Sequence, residues 1–390
     1  MAIVINTSPG TYLSAHEYLL FVVYEATKAN DAVTYPDYKY VADVYVNGVM
    51  VARKKVTPDP VNKRGVFDIS TIVRNYVSSV FSPTAGQLLA QQSGANEFFV
   101  SVVVKFGEEY NLSTYTDLTV DSARVYFNHY NADLIGAASL LSGYTNKCLS
   151  LRPAGTSVDR DDNFHFISYL PTSTTPFDVE IKAYSGTTNT GTITQSITPA
   201  AANTLQVFNI APVLLNTLTA GFISDSTTHY TVEVNDDLYA LKIDCEPKYE
   251  TYTLHFLNRF GGFDSKDFNK VSRKSIAIEK KSFEKLPYKV DNSGVVSFFN
   301  SNKVYHETKS TYAGKLDQSI TLNSDILSDA EYEWLGDLVA SPLVYMQSGD
   351  YFLPVGIKAT NYEFKKVIND KLTNLTIEID LGKSYHTQYR

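Results

Sequence analysis

Residues 318–381, QSITLNSDILSDAEYEWLGDLVASPLVYMQSGDYFLPVGIKATNYEFKKVINDKLTNLTIEIDL, read as a strand, a sharply capped helix and three further strands. Ser328 precedes Glu331 by three positions, the spacing at which a serine hydroxyl and a glutamate carboxylate each take an orphan amide of a first helical turn. Leu327 before the cap and Tyr332 after it are placed to form a hydrophobic staple. Leu335, Leu338 and Val339 continue one apolar face of a helix expected at about 329–340. Ser341-Pro342 should end it, because the residue before a proline avoids the α region. Beyond it, 343–347, 351–358 and 372–381 are β-rich, with alternation clearest in Leu375, Ile377, Ile379 and Leu381. None of these residues makes an obvious nucleophile, base or ligand set. An interaction module is expected.

Three consecutive phrases of this stretch, LSDAEYEWLGDLVASPLVY, FLPVGIKATNYEFK and NDKLTNLTIEIDL, and a fourth, YTLHFLNRFGGFDSKDF at 252–268, carry a resemblance. Together they resemble the C-terminal module of virion proteins of tailed bacteriophages infecting Bacteroidota, crAss-like phages included. The resemblance implies a structural component of the tail, baseplate or neck, made in the bacterial host's cytoplasm, with no enzymatic activity and no cofactor. It implies partners of two kinds: further copies of the chain, in a homo-oligomeric ring or hub, and adjacent tail, neck or portal-side virion proteins.

Composition points the same way on fold. The 390 residues include 28 Tyr and 21 Phe but one Trp, and only 19% are charged. Aromatic and β-branched residues suit pleated, half-buried surfaces, so a mainly β protein is expected. A net charge of −8 argues against wholesale nucleic-acid binding. The N-terminal MAIVINTSPG lacks a basic region and an apolar core, so no secretory leader is expected. Nor does any apolar run approach the length of a membrane span. Cys148 and Cys245 read as two buried thiols of a reducing compartment, with a single bridge between them as the alternative. The sequons at Asn6, Asn111 and Asn374 read as incidental.

Working back towards the N-terminus, an order of landmarks occurs twice. Strand signals at 18–24 and 40–46 lead into Asn47-Gly48, a tight-turn dipeptide, and 49–56 returns antiparallel. Val66-Phe67-Asp68-Ile69 precedes a short helical pattern, Ile72-Val73-Tyr76-Val77, which Asp68 or Ser70 can cap; strands at 98–106 and 123–130 follow. In the second copy, 164–169 and 177–184 lead to a Ser185-Gly186 turn. Val207-Phe208-Asn209-Ile210 precedes Val213-Leu214-Leu215-Asn216, with Pro212 suited to the first helical turn. Residues 230–234 and 254–258 then match 99–103 and 125–129. The expectation is two tandem β-sandwich domains from internal duplication, 1–131 and 132–262, each with a short helix, and a β-rich C-terminal module, 263–390. Phe256–Asp264, with its Gly261-Gly262 pair, is expected to close the second copy.

The segment 265–289 is the one locally basic stretch, and Lys270, Arg273, Lys274, Lys280 and Lys281 are read as facing an acidic partner or DNA. Phe283, Tyr288, Phe298, Phe299 and Tyr305 are expected to supply that module's core. Trp334, Tyr332, Tyr345, Tyr351 and Arg259 are the interface candidates, because aromatics and Arg are enriched at interface cores; Trp334 reads equally as a packing anchor of the capped helix.

Chemistry is thin. The seven histidines form no HxxxH or HExxH pair. His165, His229 and His255 lie in or beside strands and read as structural. Asp159-Arg160-Asp161-Asp162-Asn163 is oxygen-rich but lacks the glycine and final glutamate of a calcium loop, so it reads as a polar loop tip with no metal assigned. No GxSxG or SxxK motif occurs. A carbohydrate- or host-receptor-binding adhesin, with exposed Tyr stacking on sugars, is the alternative reading.

Overall fold

The computed structural model describes residues 3–111, 116–129, 146–244, 247–358 and 373–388. Cys245, one half of the alternative bridge, lies outside them. The chain is mainly β, and its helices are short.

The first unit contains β1 (Val4–Thr7), β2 (Leu13–Ser14), β3 (Leu20–Tyr24), β4 (Lys39–Val46), β5 (Val49–Val56), β6 (Arg64–Asp68), α1 (Ser70–Val73), β7 (Leu89–Ser93), β8 (Phe99–Glu109), β9 (Thr116–Val120) and β10 (Arg124–Phe127). One sheet runs β1-β3-β6; the other runs β2-β10-β8-β4-β5, with β9 also on β8. Phe21, Val23 and Phe67 from the first sheet share a buried core with Tyr40, Val44, Val102 and Tyr126 from the second, a sandwich-like arrangement. Asn47 and Gly48 both take positive φ, +49° and +83°, as the two-residue β4–β5 turn requires.

The second unit contains β11 (Lys147–Cys148), β12 (Thr156–Asp159), β13 (Phe166–Leu170), β14 (Phe177–Ser185), β15 (Thr188–Ile197), β16 (Leu205–Asn209), α2 (Pro212–Leu218), β17 (His229–Val234) and β18 (Asp237–Asp244). Its sheets run β11-β13-β16-β7 and β12-β18-β17-β14-β15. β7 belongs to the first unit by sequence but pairs with β16, so the two units share a sheet.

Local geometry recurs between the units. Leu20 pairs with Asp68 and Phe166 with Asn209. Asp68 Oδ1 accepts from the amides of Leu19 (3.3 Å) and Ser70 (2.9 Å); Asn209 Oδ1 accepts from those of His165 (2.9 Å) and Ala211 (3.1 Å). The Ile69 amide then donates to the Leu19 carbonyl, and the Ile210 amide to that of His165. In each unit one polar side chain ties the start of a strand to the start of a helix. The expected match of 254–258 with 125–129 does not hold: β10 pairs with β8, whereas 254–258 lies in a third sheet.

That sheet contains β19 (Tyr252–Leu257), β20 (Phe263–Phe268), β21 (Arg273–Glu284), β24 (Lys309–Leu327), β25 (Val344–Ser348), β26 (Tyr351–Ile357) and β27 (Thr373–Gln388), after a two-stranded β22 (Lys289–Val290)–β23 (Val296–Ser297) insertion. Its order is β20-β19-β25-β26-β27-β24-β21. Phe256–Asp264 therefore does not close the second unit. It is the turn of the β19–β20 hairpin, which begins the third sheet before residue 263. Leu375, Ile377 and Ile379 point into the core while Thr376 and Glu378 are exposed, the alternation of a half-buried strand.

Ser328 Oγ accepts from the Glu331 amide, and the Glu331 carboxylate accepts from the Ser328 amide at 3.0 Å. The helix this starts is shorter than expected: α3 (Asp329–Trp334) stops at Leu335, and α4 (Gly336–Ala340) begins anew. Gly336, the weakest helix former after proline, sits at the break. Trp334, Leu335 and Leu338 pack onto Leu254, Phe256, Ile320 and Leu322 of the sheet.

A fourth core joins all three parts: Phe98 and Phe127 from the first, Phe166 and Val207 from the second, Leu257, Phe260 and Phe263 from the third. Gly261 and Gly262 let the β19–β20 turn enter it. A Cβ on Gly261 (φ +80°) would lie 2.5 Å from the Asn128 carbonyl oxygen, and one on Gly262 would lie 2.8 Å from Ser168 Cβ.

Candidate functional site

Two features stand out: a β-arm with no buried residue, and a buried polar seam at its base.

The arm begins where β20 ends. No residue from 270 to 318 is buried. Along β21 every residue but Ser282 is exposed, and among the described residues its only pairing is with β24, which leaves its other edge open. Ile276 and Ile278 are 55% and 58% exposed. Phe283, Phe298, Phe299 and Tyr305 are exposed too, and Tyr288 is half-buried, so these aromatics do not form a core. They stack in local pairs, such as Phe299 with Tyr305 at 4.3 Å, because no second layer covers this part of the sheet. Arg273, Lys274, Lys280 and Lys281 lie on this arm, and Lys270 at its root pairs with Asp325 at 3.4 Å. Residues 271–315 hold nine of the 34 Lys and Arg but four of the 42 Asp and Glu, a net +5 that leaves −13 on the rest of the chain.

The five other residues named from the sequence as interface candidates lie off the arm, and the structure separates them. Trp334 is 1% exposed and belongs to the core. Arg259 is partly exposed but pairs with Asp337, Nε to Oδ1 at 2.6 Å, within the chain. Tyr345 is half-buried against Phe81, ring centroids 4.6 Å apart, and burial raises its phenol pKa. Tyr332 is half-buried against the third core. Only Tyr351, 76% exposed, is open as expected.

The seam lies where β20 meets the second unit. Asp264 Oδ2 accepts from Trp334 Nε1 (2.9 Å), Ser150 Oγ (3.0 Å) and Asn258 Nδ2 (3.1 Å). Arg152 Nη2 stands 3.8 Å from Asp264 Oδ1 and donates to the Phe166 and Ser265 carbonyls, while its guanidinium lies 5.2 Å from the centre of the Trp334 ring. Burial raises the Asp264 carboxyl pKa, opposed by Arg152 and by the three donors. Lys266, also buried, faces Glu331 at 3.6 Å; burial lowers its ammonium pKa despite that partner.

Next along β20, Asp267 meets Asp162 and His165 of the β12–β13 loop. One ligand atom from each lies within 4.8 Å of the others, and all three residues are buried. Asp267 accepts from the Asp159 amide and from Thr253 Oγ1, both at 2.8 Å. Asp162 Oδ1 accepts from the Phe164 amide at 3.2 Å, and Oδ2 lies 3.3 Å from His165 Nδ1. Burial, then the facing Asp267, pushes the Asp162 carboxyl well up; burial raises that of Asp267 and holds the His165 imidazole well below its usual range. A cleft of about 550 Å³ opens beside this trio, lined in part by Asp159, Asp162, Thr253 and Gln347. The oxygen-rich run 159–163 was a visible signal in the sequence, but nothing there connected it with Asp267.

No family model matches the chain, and no curated protein does either. Among the described residues, no helix is long and apolar enough to cross a membrane.

Proposed function

We propose that the chain is a structural protein of a tailed-phage virion, present in several copies and built into a tail, tail-hub or neck ring. The arm is the observation that carries this reading. A long strand with an open edge and uncovered Ile, Phe and Tyr side chains is a template for pairing with another chain. Its partner in this reading is a second copy, because the +5 arm complements the −13 remainder of the same chain. Adjacent virion proteins would complete the assembly. The function is then shape and self-association, with no catalytic step and no cofactor.

The phrases that resemble phage virion proteins support this reading further. The residues 252–268 and 327–345 form one packed unit, joined by Trp334–Asp264 and Arg259–Asp337. The matched Asp68 and Asn209 networks support an origin of the first two units by duplication, which would make them rigid spacers holding the arm.

The test is particle mass. Purified protein should sediment as multiples of 43.4 kDa, and a variant with 276–318 replaced by a short Gly-Ser turn joining the Ser275–Ser319 pair should be folded and monomeric. A monomeric wild type would overturn the self-assembly reading. Mass spectrometry of gradient-purified phage particles should find the chain in several copies per particle; its absence from them would overturn the virion assignment.

A further inference from the structure

We propose that Asp162, His165 and Asp267 bind one divalent first-row transition-metal ion, zinc being the best match, which clamps the β12–β13 loop to β20. Two carboxylates and one imidazole are a donor set for such an ion, whereas calcium and magnesium take oxygen alone. Ligand atoms of one tetrahedral zinc, at about 2.0–2.2 Å from the ion, stand roughly 3.4–3.6 Å apart. The trio, within 4.8 Å, closes onto an ion by a shift of about an ångström.

Independent observations point to a ligand. His165 is fully buried, and its Nε2 has no hydrogen-bond partner. The Gln347 side chain hydrogen-bonds to both Asp162 and His255, and so braces the trio from β25. The carboxylates are oriented as metal ligands usually are. The Asp159 amide and the Thr253 hydroxyl fix Asp267, and the Phe164 amide fixes Asp162, each leaving lone pairs free. Of the neighbouring cations, Arg152 serves Asp264, while Lys266 faces Glu331 and also opposes the rise of the Asp267 carboxyl pKa. The 550 Å³ cleft, with Asp162 and Gln347 in its wall, provides an entry path.

The bound ion would act on structure. Asp162 and His165 belong to the second unit and Asp267 to the third sheet, so it would cross-link two parts of the chain. The test uses the full chain, stripped with a chelator and dialysed against metal-free buffer, then titrated with Zn²⁺ and, separately, Co²⁺. The expected result is about one equivalent bound per chain by elemental analysis, a visible Co²⁺ absorption band, and a rise of several degrees in Tm that Mg²⁺ and Ca²⁺ do not give. Asp267→Asn and His165→Gln should each weaken Zn²⁺ binding at least tenfold. Since either variant can fail to fold, the wild-type titration stands by itself. A wild type that binds under 0.1 equivalent of either ion, with no Co²⁺ band and no Tm change, overturns the proposal. So does one-equivalent binding that both folded variants retain.

Discussion

The indole of Trp334 donates to Asp264 Oδ2 at 2.9 Å, across 70 residues of sequence. The bond fastens α3 to the start of β20. Asp264 is also the counter-charge of the buried Arg152. Asp264→Ala should therefore leave a guanidinium buried without its carboxylate, costing about 3–5 kcal/mol. Trp334→Phe keeps most of the ring volume and removes one charge-assisted donor, about 1.5–3 kcal/mol. Urea unfolding followed by fluorescence or circular dichroism measures both. A loss below about 1 kcal/mol for Asp264→Ala would mean that water reaches Arg152 and that the seam is not dry.

Gly261 and Gly294 have the same φ, +80°, in different surroundings. A Cβ on Gly261 meets the Asn128 carbonyl oxygen at 2.5 Å, while one on Gly294 meets nothing within 4 Å. Gly294→Ala should cost only the backbone strain of an L-residue at positive φ, about 1–2 kcal/mol. Gly261→Ala adds a clash with backbone and should cost clearly more, about 3 kcal/mol or above, because the β19–β20 turn would have to withdraw from the shared core. Equal losses in the two variants, by the same urea assay, would show that the turn has room to move.

On the arm, Ile276 and Ile278 are more than half exposed, on one face of β21. Replacing both with Thr keeps β propensity and removes apolar surface. Stability should change by no more than about 0.5 kcal/mol per site, as for other exposed positions. If this face is the contact between copies, the sedimentation coefficient should fall towards that of a monomer. An unchanged distribution would move the contact to another part of the arm.

How legible was this in the sequence? Leu375, Ile377 and Ile379 were read correctly because a half-buried strand writes its burial into every second residue. The Ser328–Glu331 spacing likewise matches a bond made within one turn. Trp334 stayed open between packing and interface because one tryptophan on an apolar helix face looks the same whether it meets a core or a partner. What decides is Asp264, distant in sequence. Phe283, Phe298 and Tyr305 were misread for the converse reason. An aromatic strand residue shows that a surface is apolar, and only the topology shows that no second layer covers it. The trio was half visible, in 159–165. Its third member depended on β20 pairing with β19, and hence on a hairpin assigned by sequence to the wrong unit.

His129 sets the direction of one pH effect. Its ring is 1% exposed, with neither nitrogen hydrogen-bonded, and burial, reinforced by His16, lowers its pKa to about 3 from 6.5. The unfolded chain therefore takes up the proton first as pH falls. The contribution to stability is intact above about pH 6.5 and is lost progressively between there and pH 3, at up to about 1.4 kcal/mol per unit. The buried carboxyls with raised pKa values act in the opposite sense, so total stability is an ambiguous readout. The difference between wild type and His129→Leu isolates the ring. That difference should be flat from pH 8 to about 7, and should then move in favour of the leucine variant down to about pH 5. Urea titrations at each pH measure it. Parallel curves for the two proteins across this range would mean that the His129 ring takes up its proton in the folded state at an ordinary pH.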